Sequence, residues 1–344
     1  MNPVDWLIDS DPAIRWQALR DLTESEASII AAERARVTRE GLGAAILAHQ
    51  QPDGSWRREG APTWLTTLFT LQLLRATGAD PLDPTVARAI SLLESTLRWD
   101  STPGNWDLRP VNETGNPFFQ GEVEPCINGG VLALGGYFGH PNEKLARRLL
   151  SEQLADGGWN CDAPKSQRSS FHTTICVLEG LLEYERAISA CSAELQPQRT
   201  QEQRQANAHA NEIAAARHRA EEYLLARSLF RRRSTGEIAN QEFLELAFPP
   251  RYHYDILRAL DYFRSASLYA SPDAESKRKP DPRLTEVSQL VGRKRQPDGR
   301  WLLDNSYTES LALPLTESIG QPSRWNTLRA LRILRWFNAT NPKN

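Results

Sequence analysis

Three short runs, Gln51-Pro-Asp-Gly-Ser-Trp56, Leu154-Ala-Asp-Gly-Gly-Trp159 and Gln296-Pro-Asp-Gly-Arg-Trp301, spell the same turn, each between two stretches of helical periodicity. Asp-Gly turns tightly because Gly accepts positive φ without a Cβ clash and Asp bonds its own backbone; the Trp two residues on can pack the turn onto its neighbours. A turn recurring at the same place is an internal repeat, and a repeat restricts the chain to architectures built from one stacked unit. A degenerate copy, Pro103-Gly104-Asn105-Trp106, puts Trp residues at 56, 106 and 159, 50 and 53 residues apart. That spacing is the length of two helices and two loops.

Apolar residues three and four apart predict a series of inner helices: Trp64 to Leu74, Cys126 to Phe138, His172 to Tyr184, Tyr254 to Phe263 and Trp325 to Phe337. Ile14 to Leu22 is a sixth, reading much like Ser323 to Leu331. Five more polar stretches alternate with these: Gly41 to His49, Thr85 to Leu97, Glu143 to Gln153, Gln203 to Leu229 and Arg283 to Arg293. The expectation is an all-α ring over residues 1–344, one domain, with about six inner helices, polar outer helices and the first and last inner helices meeting. The segment 190–220, rich in Gln, Arg, Ala and Glu, breaks the rhythm and is expected to lengthen the fourth outer helix. His209 and His218 in it are nine residues apart, which places them on opposite helix faces, both expected to be solvent-exposed.

The Gln-x-x-Gly-x-Trp turn within a two-helix repeat resembles the squalene/oxidosqualene cyclase and protein prenyltransferase β-subunit superfamily, over roughly Asp11 to Phe337. The resemblance implies an α/α toroid whose central cavity takes a hydrophobic, isoprenoid-like small molecule. In such a ring every outer-to-inner loop lies at one end, so residues opening the inner helices form a crown around one mouth. Cys126, His172 and His253 open three successive inner helices, and Cys161 lies just before the second of them. Two thiols and two imidazoles suit a tetrahedral zinc ion, so Cys126, Cys161, His172 and His253 are the expected ligands.

The prenyltransferase β-subunits place their catalytic zinc at this level, with an Asp-x-Cys on one inner helix and a His on the next. Glu124-Pro-Cys126 is similar to the first element, with Glu in place of Asp, and the helix from His172 to Gly180 is similar to the second. Glu124 or Cys176 could replace one of the four ligands. Around the crown, Asp255 is the first choice for an acid–base residue, because it lies two positions from His253. Glu122 and Asp162 are further carboxylates, and the loop Asn105 to Gly121, with Arg109, Asn112, Glu113, Phe118 and Phe119, has the length of a lid or cavity lining.

Several departures narrow the function. The chain has no Asp-Asp dipeptide, so it lacks both the Asp-x-Asp-Asp acid of squalene-type cyclases and the Asp-Asp-rich magnesium motif of ionisation-type terpene synthases. A diphosphate site would have to draw on Arg251, Arg258 and Arg324. Formal charge is −2 without a basic stripe, which excludes a nucleic-acid partner. The N-terminus carries no secretory signal and no apolar run reaches the ~20 residues of a bilayer span, so a soluble, cytoplasmic protein is expected, its four cysteines reduced. Two readings follow: a zinc-dependent enzyme acting on a hydrophobic small molecule, or a non-catalytic toroid with a structural Cys₂His₂ zinc site that binds a ligand or helix.

Overall fold

A computed structural model describes residues 2–100, 107–110, 115–122, 124–194, 201–270 and 280–340. The chain is 57% helix and 5% strand, with 13 α-helices among the described residues. The stretches expected as inner helices have counterparts in α2 (Pro12–Leu22), α5 (Thr63–Thr77), α7 (Pro125–Tyr137), α9 (Phe171–Glu194), α11 (Ile256–Ala270) and α13 (Arg324–Thr340). Those expected as outer helices have counterparts in α4 (Gly41–Ala48), α6 (Pro84–Thr96), α8 (Glu143–Ser151), α10 (Gln201–Leu225) and α12 (Thr285–Arg293). Two helices add to these, α1 (Pro3–Ile8) and α3 (Ala27–Arg34). Three short strands, β1 (Leu97–Trp99), β2 (Leu108–Pro110) and β3 (Asn116–Pro117), form an antiparallel sheet with β1 in the middle; β4 (Trp301–Leu302) pairs with β5 (Pro322–Ser323). No helix is long and apolar enough to cross a membrane.

The two series differ in burial for a simple reason. Helix α8 is covered on one side and buries only Leu145, Ala146 and Leu149, a stripe at i, i+1 and i+4. Helix α5 is covered nearly all round and buries nine of its residues, four of them threonines. Thr67 finds its partner in the repeated turn, as Thr174 and Thr327 do in the other copies; Thr70 Oγ1 accepts from Ala312 N–H, Thr77 Oγ1 donates to Leu74 O, and Thr66 Oγ1 has no partner among the described residues. Trp56 N–H donates to Thr67 Oγ1 at 3.1 Å, Trp159 N–H to Thr174 Oγ1 at 3.1 Å and Trp301 N–H to Thr327 Oγ1 at 3.0 Å. In each copy the indole Nε1–H also donates, at 2.7 Å, to the carbonyl ten residues earlier: Ile46, Leu149 or Val291. The three indoles are fully buried. Each turn is therefore a rivet, its Trp bonded to the outer helix behind it and the inner helix ahead. The degenerate copy at 103–106 lies outside the described residues.

The contacts gather into two compact units, Met1–Leu92 with Arg227–Asn344, and Leu93–Ala226. In the first, both ends of the sequence meet. Helix α13 packs on α2, where Arg332 Nη1 donates to Gln17 Oε1 at 3.1 Å and lies 3.6 Å from Asp21. The guanidinium groups of Arg300 and Arg324 lie 4.1 and 4.3 Å from the ring centroid of Trp6 in α1. In the second unit α7 and α9 lie backbone to backbone. A Cβ on Gly129 would come within 2.5 Å of Cys176 O, one on Gly136 within 2.7 Å of Glu183 O, and one on Gly180 within 2.5 Å of Gly129 O. Only glycine at these three places lets the two helices approach this far.

The segment from 190 is carried by the end of α9 and by α10, a 25-residue helix; residues 195–200 lie outside the described set. His218 is exposed, but the expectation of exposure fails for His209. It is buried against α9, where Nε2 lies 3.2 Å from Tyr184 Oη. The nine-residue spacing did place the two rings on opposite faces, and α9 covers one of those faces.

Candidate metal centre

The site is built at the start of α7. Pro125 occupies the first helical position, where its fixed φ suits the helix, and Glu124 precedes it with an extended backbone. The Glu124 side chain makes no capping hydrogen bond, so its carboxylate is left to turn toward Cys126, whose Sγ lies 3.6 Å from Glu124 Oε2. Cys161 arrives from the loop after the second Trp turn. That loop is closed at its base by Ser170 N–H donating to Trp159 O at 2.8 Å, and braced by Asn160 Nδ2 donating to Arg168 O at 2.7 Å. Cys161 Sγ then rests 3.4 Å from Thr173 Oγ1 on α9.

Glu124, Cys126 and Cys161 each offer one donor atom, and the three atoms lie within 4.8 Å of one another. Both thiols are half-buried, while Cys176 is buried. Pairing with Cys161, together with burial, pushes the Cys126 thiol up; the same pairing pulls Cys161 below the usual thiol range. The donor chemistry fits zinc. Two thiolates at about 2.3 Å from one tetrahedral ion stand about 3.8 Å apart, a spacing this group reaches with small side-chain motions.

Of the residues expected from sequence, Cys126 and Cys161 come together, and Glu124, which the sequence offered only as an alternative ligand, lies beside them. His172 is the second residue of α9, beside Thr173, but is not a member of the three-donor group. Cys176 lies one turn further along the same helix and is likewise outside it. Thr173, which touches the Cys161 sulfur, carries no motif and was not legible in the sequence.

His253 and Asp255 belong to the other unit. The His253 ring stacks on Tyr307 with centroids 3.6 Å apart and an interplanar angle of 2°, and on Tyr252 at 4.1 Å. Asp255 caps α11 by accepting from Arg258 N–H at 2.8 Å, and is almost wholly buried. Its Oδ2 has no hydrogen-bond partner among the described residues, and burial pushes its carboxyl up despite the nearby Arg329 and Arg258. The three arginines open to a diphosphate role have internal partners: Arg251 pairs with Glu309, Arg258 Nη1 donates to Arg251 O and His253 O, and Arg324 Nη1 donates to Trp6 O and Asp9 O.

In the expected lid, Phe118 and Phe119 are buried rather than free. Phe118 stacks on Trp99 at 5.6 Å and Phe119 on His140 at 4.8 Å. Arg109 pairs with Asp100 at 3.2 Å; Asn105, Asn112 and Glu113 lie outside the described residues. No protein-family model matches the chain, and no curated protein matches it at a significant level.

Proposed function

We propose that this chain is a zinc-dependent enzyme of α/α-toroid architecture acting on a hydrophobic, isoprenoid-like small molecule. The observation that carries the proposal is the convergence of Glu124, Cys126 and Cys161 at the mouth of an inner helix. Two sulfurs and one carboxylate suit zinc, and three protein donors leave a fourth position for a substrate atom, as catalytic zinc sites do. A zinc ion there would supply Lewis-acid polarisation or activation of a bound thiol or water. The toroid is supported by the alternation of inner and outer helices and by the packing of α2 on α13.

The chain's own groups have distinct parts in this reading. Glu124 orients toward the Cys126 thiol, and Thr173 holds the Cys161 sulfur in place. Asp255, in the unit that does not carry the three donors, keeps the acid–base role proposed from sequence; burial raises its carboxyl, and one oxygen has no hydrogen-bond partner among the described residues.

The test is metal content and X-ray absorption on the purified chain. One zinc per chain is expected, with two sulfur ligands in the first coordination sphere, lost in C126S and C161S and weakened at least tenfold in E124Q. Protein that takes up no zinc, or a zinc bound by four protein side chains with no open position, overturns the catalytic reading. Given zinc, a screen of hydrophobic metabolites should find a substrate whose turnover D255N abolishes while fold and zinc are kept.

A further inference from the structure

We infer that Cys126 and Cys161 form a reversible dithiol that low-molecular-weight disulfides oxidise to a Cys126–Cys161 bridge. Their sulfurs lie within 4.8 Å of each other although 35 residues separate them in sequence, and each belongs to a different element. A change of χ1 at either residue is a motion of the size needed to bring the sulfurs to bonding distance. Access is graded in the right sense. Both thiols are half-exposed, whereas Cys176 beside them is buried at 4% exposure. Cys161 sits on a loop and is partly exposed, and Cys126 sits in the first helical turn of α7.

The exchange balances in two steps. The Cys161 thiol gives its proton to solvent and its sulfur attacks one sulfur of the small disulfide, whose other sulfur leaves as a thiolate and takes up a proton. Cys126 then gives its proton to solvent and attacks the Cys161 sulfur, expelling the second small thiol. Two protein thiols have lost two electrons and one small disulfide has become two thiols. Both sulfurs of the bridge are poor metal donors, so oxidation and metal binding exclude each other. The inference goes beyond the proposed enzyme and uses only the thiols, with or without zinc.

The experiment uses the full chain, stripped of metal with a chelator and treated with oxidised glutathione. Alkylation and intact mass should show loss of two of the four thiols without a retained glutathione adduct, reversed by dithiothreitol. Peptide mapping should join Cys126 to Cys161, in the parent and in C176S alike, whereas C126S should instead retain one glutathione on Cys161. A persistent adduct in the parent, four thiols still alkylatable, or a bridge that uses Cys176 overturns the inference. Zinc uptake is measured separately on reduced protein. Zinc uptake without the bridge fails this inference alone, and a bridge without zinc uptake fails the metal site alone. If both stand, saturating zinc should slow bridging at least tenfold.

Discussion

Gln50 reaches from the first Trp turn to the carbonyl of Ala89, 39 residues ahead, at 2.8 Å, while the same amide nitrogen holds Gly54 O at 3.0 Å. Gln153 repeats the arrangement with Gly157 O at 2.7 Å and Ala216 O at 2.8 Å. In the third copy Arg295 takes the place of Gln and donates from Nε to Gly299 O at 3.3 Å. In the first two copies the residue before the motif thus stitches its turn to a following helix, α6 or α10, whereas in the third it braces only its own turn. Gln50→Ala and Gln153→Ala each leave two carbonyls short of a donor, and urea melts should show losses of about 1–3 kcal/mol. A loss within error at both positions would show that water replaces the amide without cost.

Gly129→Ala should separate α7 from α9. The new Cβ would meet the Cys176 carbonyl at 2.5 Å, and that atom is backbone that cannot swing away. Overpacking of this kind costs about 1–3 kcal/mol and should also reduce zinc uptake, because the start of α7 carries Cys126. Gly292→Ala is the control. Its Cβ would meet nothing within 4 Å in the last turn of α12, so the variant should be stabilised by up to about 1 kcal/mol. Equal melts for the two variants would refute the close-approach account.

Asp21 is expected to govern acid stability of the unit that carries it. Burial alone would push its carboxyl up, but Arg20, Arg264 and Arg332 outweigh burial and hold it at about 2. A carboxyl whose folded pKa is depressed contributes stability that is present above its unfolded value near 4 and is lost as pH falls through the folded value. Asp21→Asn should therefore destabilise by about 2 kcal/mol at pH 7. The difference should shrink between about pH 4 and pH 2, followed by circular dichroism in urea at each pH. A difference independent of pH would mean that shape, not charge, is what Asp21 contributes.

Asp255 has the opposite sign. Burial raises its carboxyl, so its contribution is fully present below the unfolded value and declines as pH rises through the folded one. Asn is an equally good helix cap, so Asp255→Asn should stay within about 1 kcal/mol of the parent at pH 4. It should gain relative to the parent as pH rises to 7. A parent that instead becomes the more stable of the two at pH 7 would show that Arg329 and Arg258 keep the carboxylate charged.

What the sequence disclosed was whatever has a period or a fixed spacing. Each expected inner and outer helix has a counterpart, because apolar spacing and turn chemistry are local properties, although α11 and α9 run seven and ten residues past their expected ends. The Glu124–Cys126 pair stood out only through its likeness to a family motif, with Glu124 an alternative ligand. Contacts between distant segments were not. Gly129, Gly136 and Gly180 read as weak helix formers until α9 is laid against α7, and Gln50 is an ordinary polar residue until Ala89 stands beside it. His209 read as exposed because a Gln-, Arg- and Glu-rich helix suggests solvent all round; the Tyr184 hydroxyl on α9 supplies the polar partner that lets an imidazole be buried there. Helix α3 escaped notice because it buries none of its residues and so shows no apolar stripe.

The unit that joins Met1–Leu92 to Arg227–Asn344 has a consequence for how the protein is made. On the ribosome, residues 93–226 emerge complete while α2 still lacks the helix that covers it. Asp21 then waits, charged and uncovered, for Arg264 and Arg332, which appear only as α11 and α13 leave the exit tunnel. At elongation rates of about 5–20 residues per second the wait is on the order of tens of seconds, during which the apolar faces of α2 and α5 are exposed to solvent or to chaperones. The nascent first helices are therefore the part of this chain most open to capture, whereas every residue of the internal unit has been synthesised before the first unit can close.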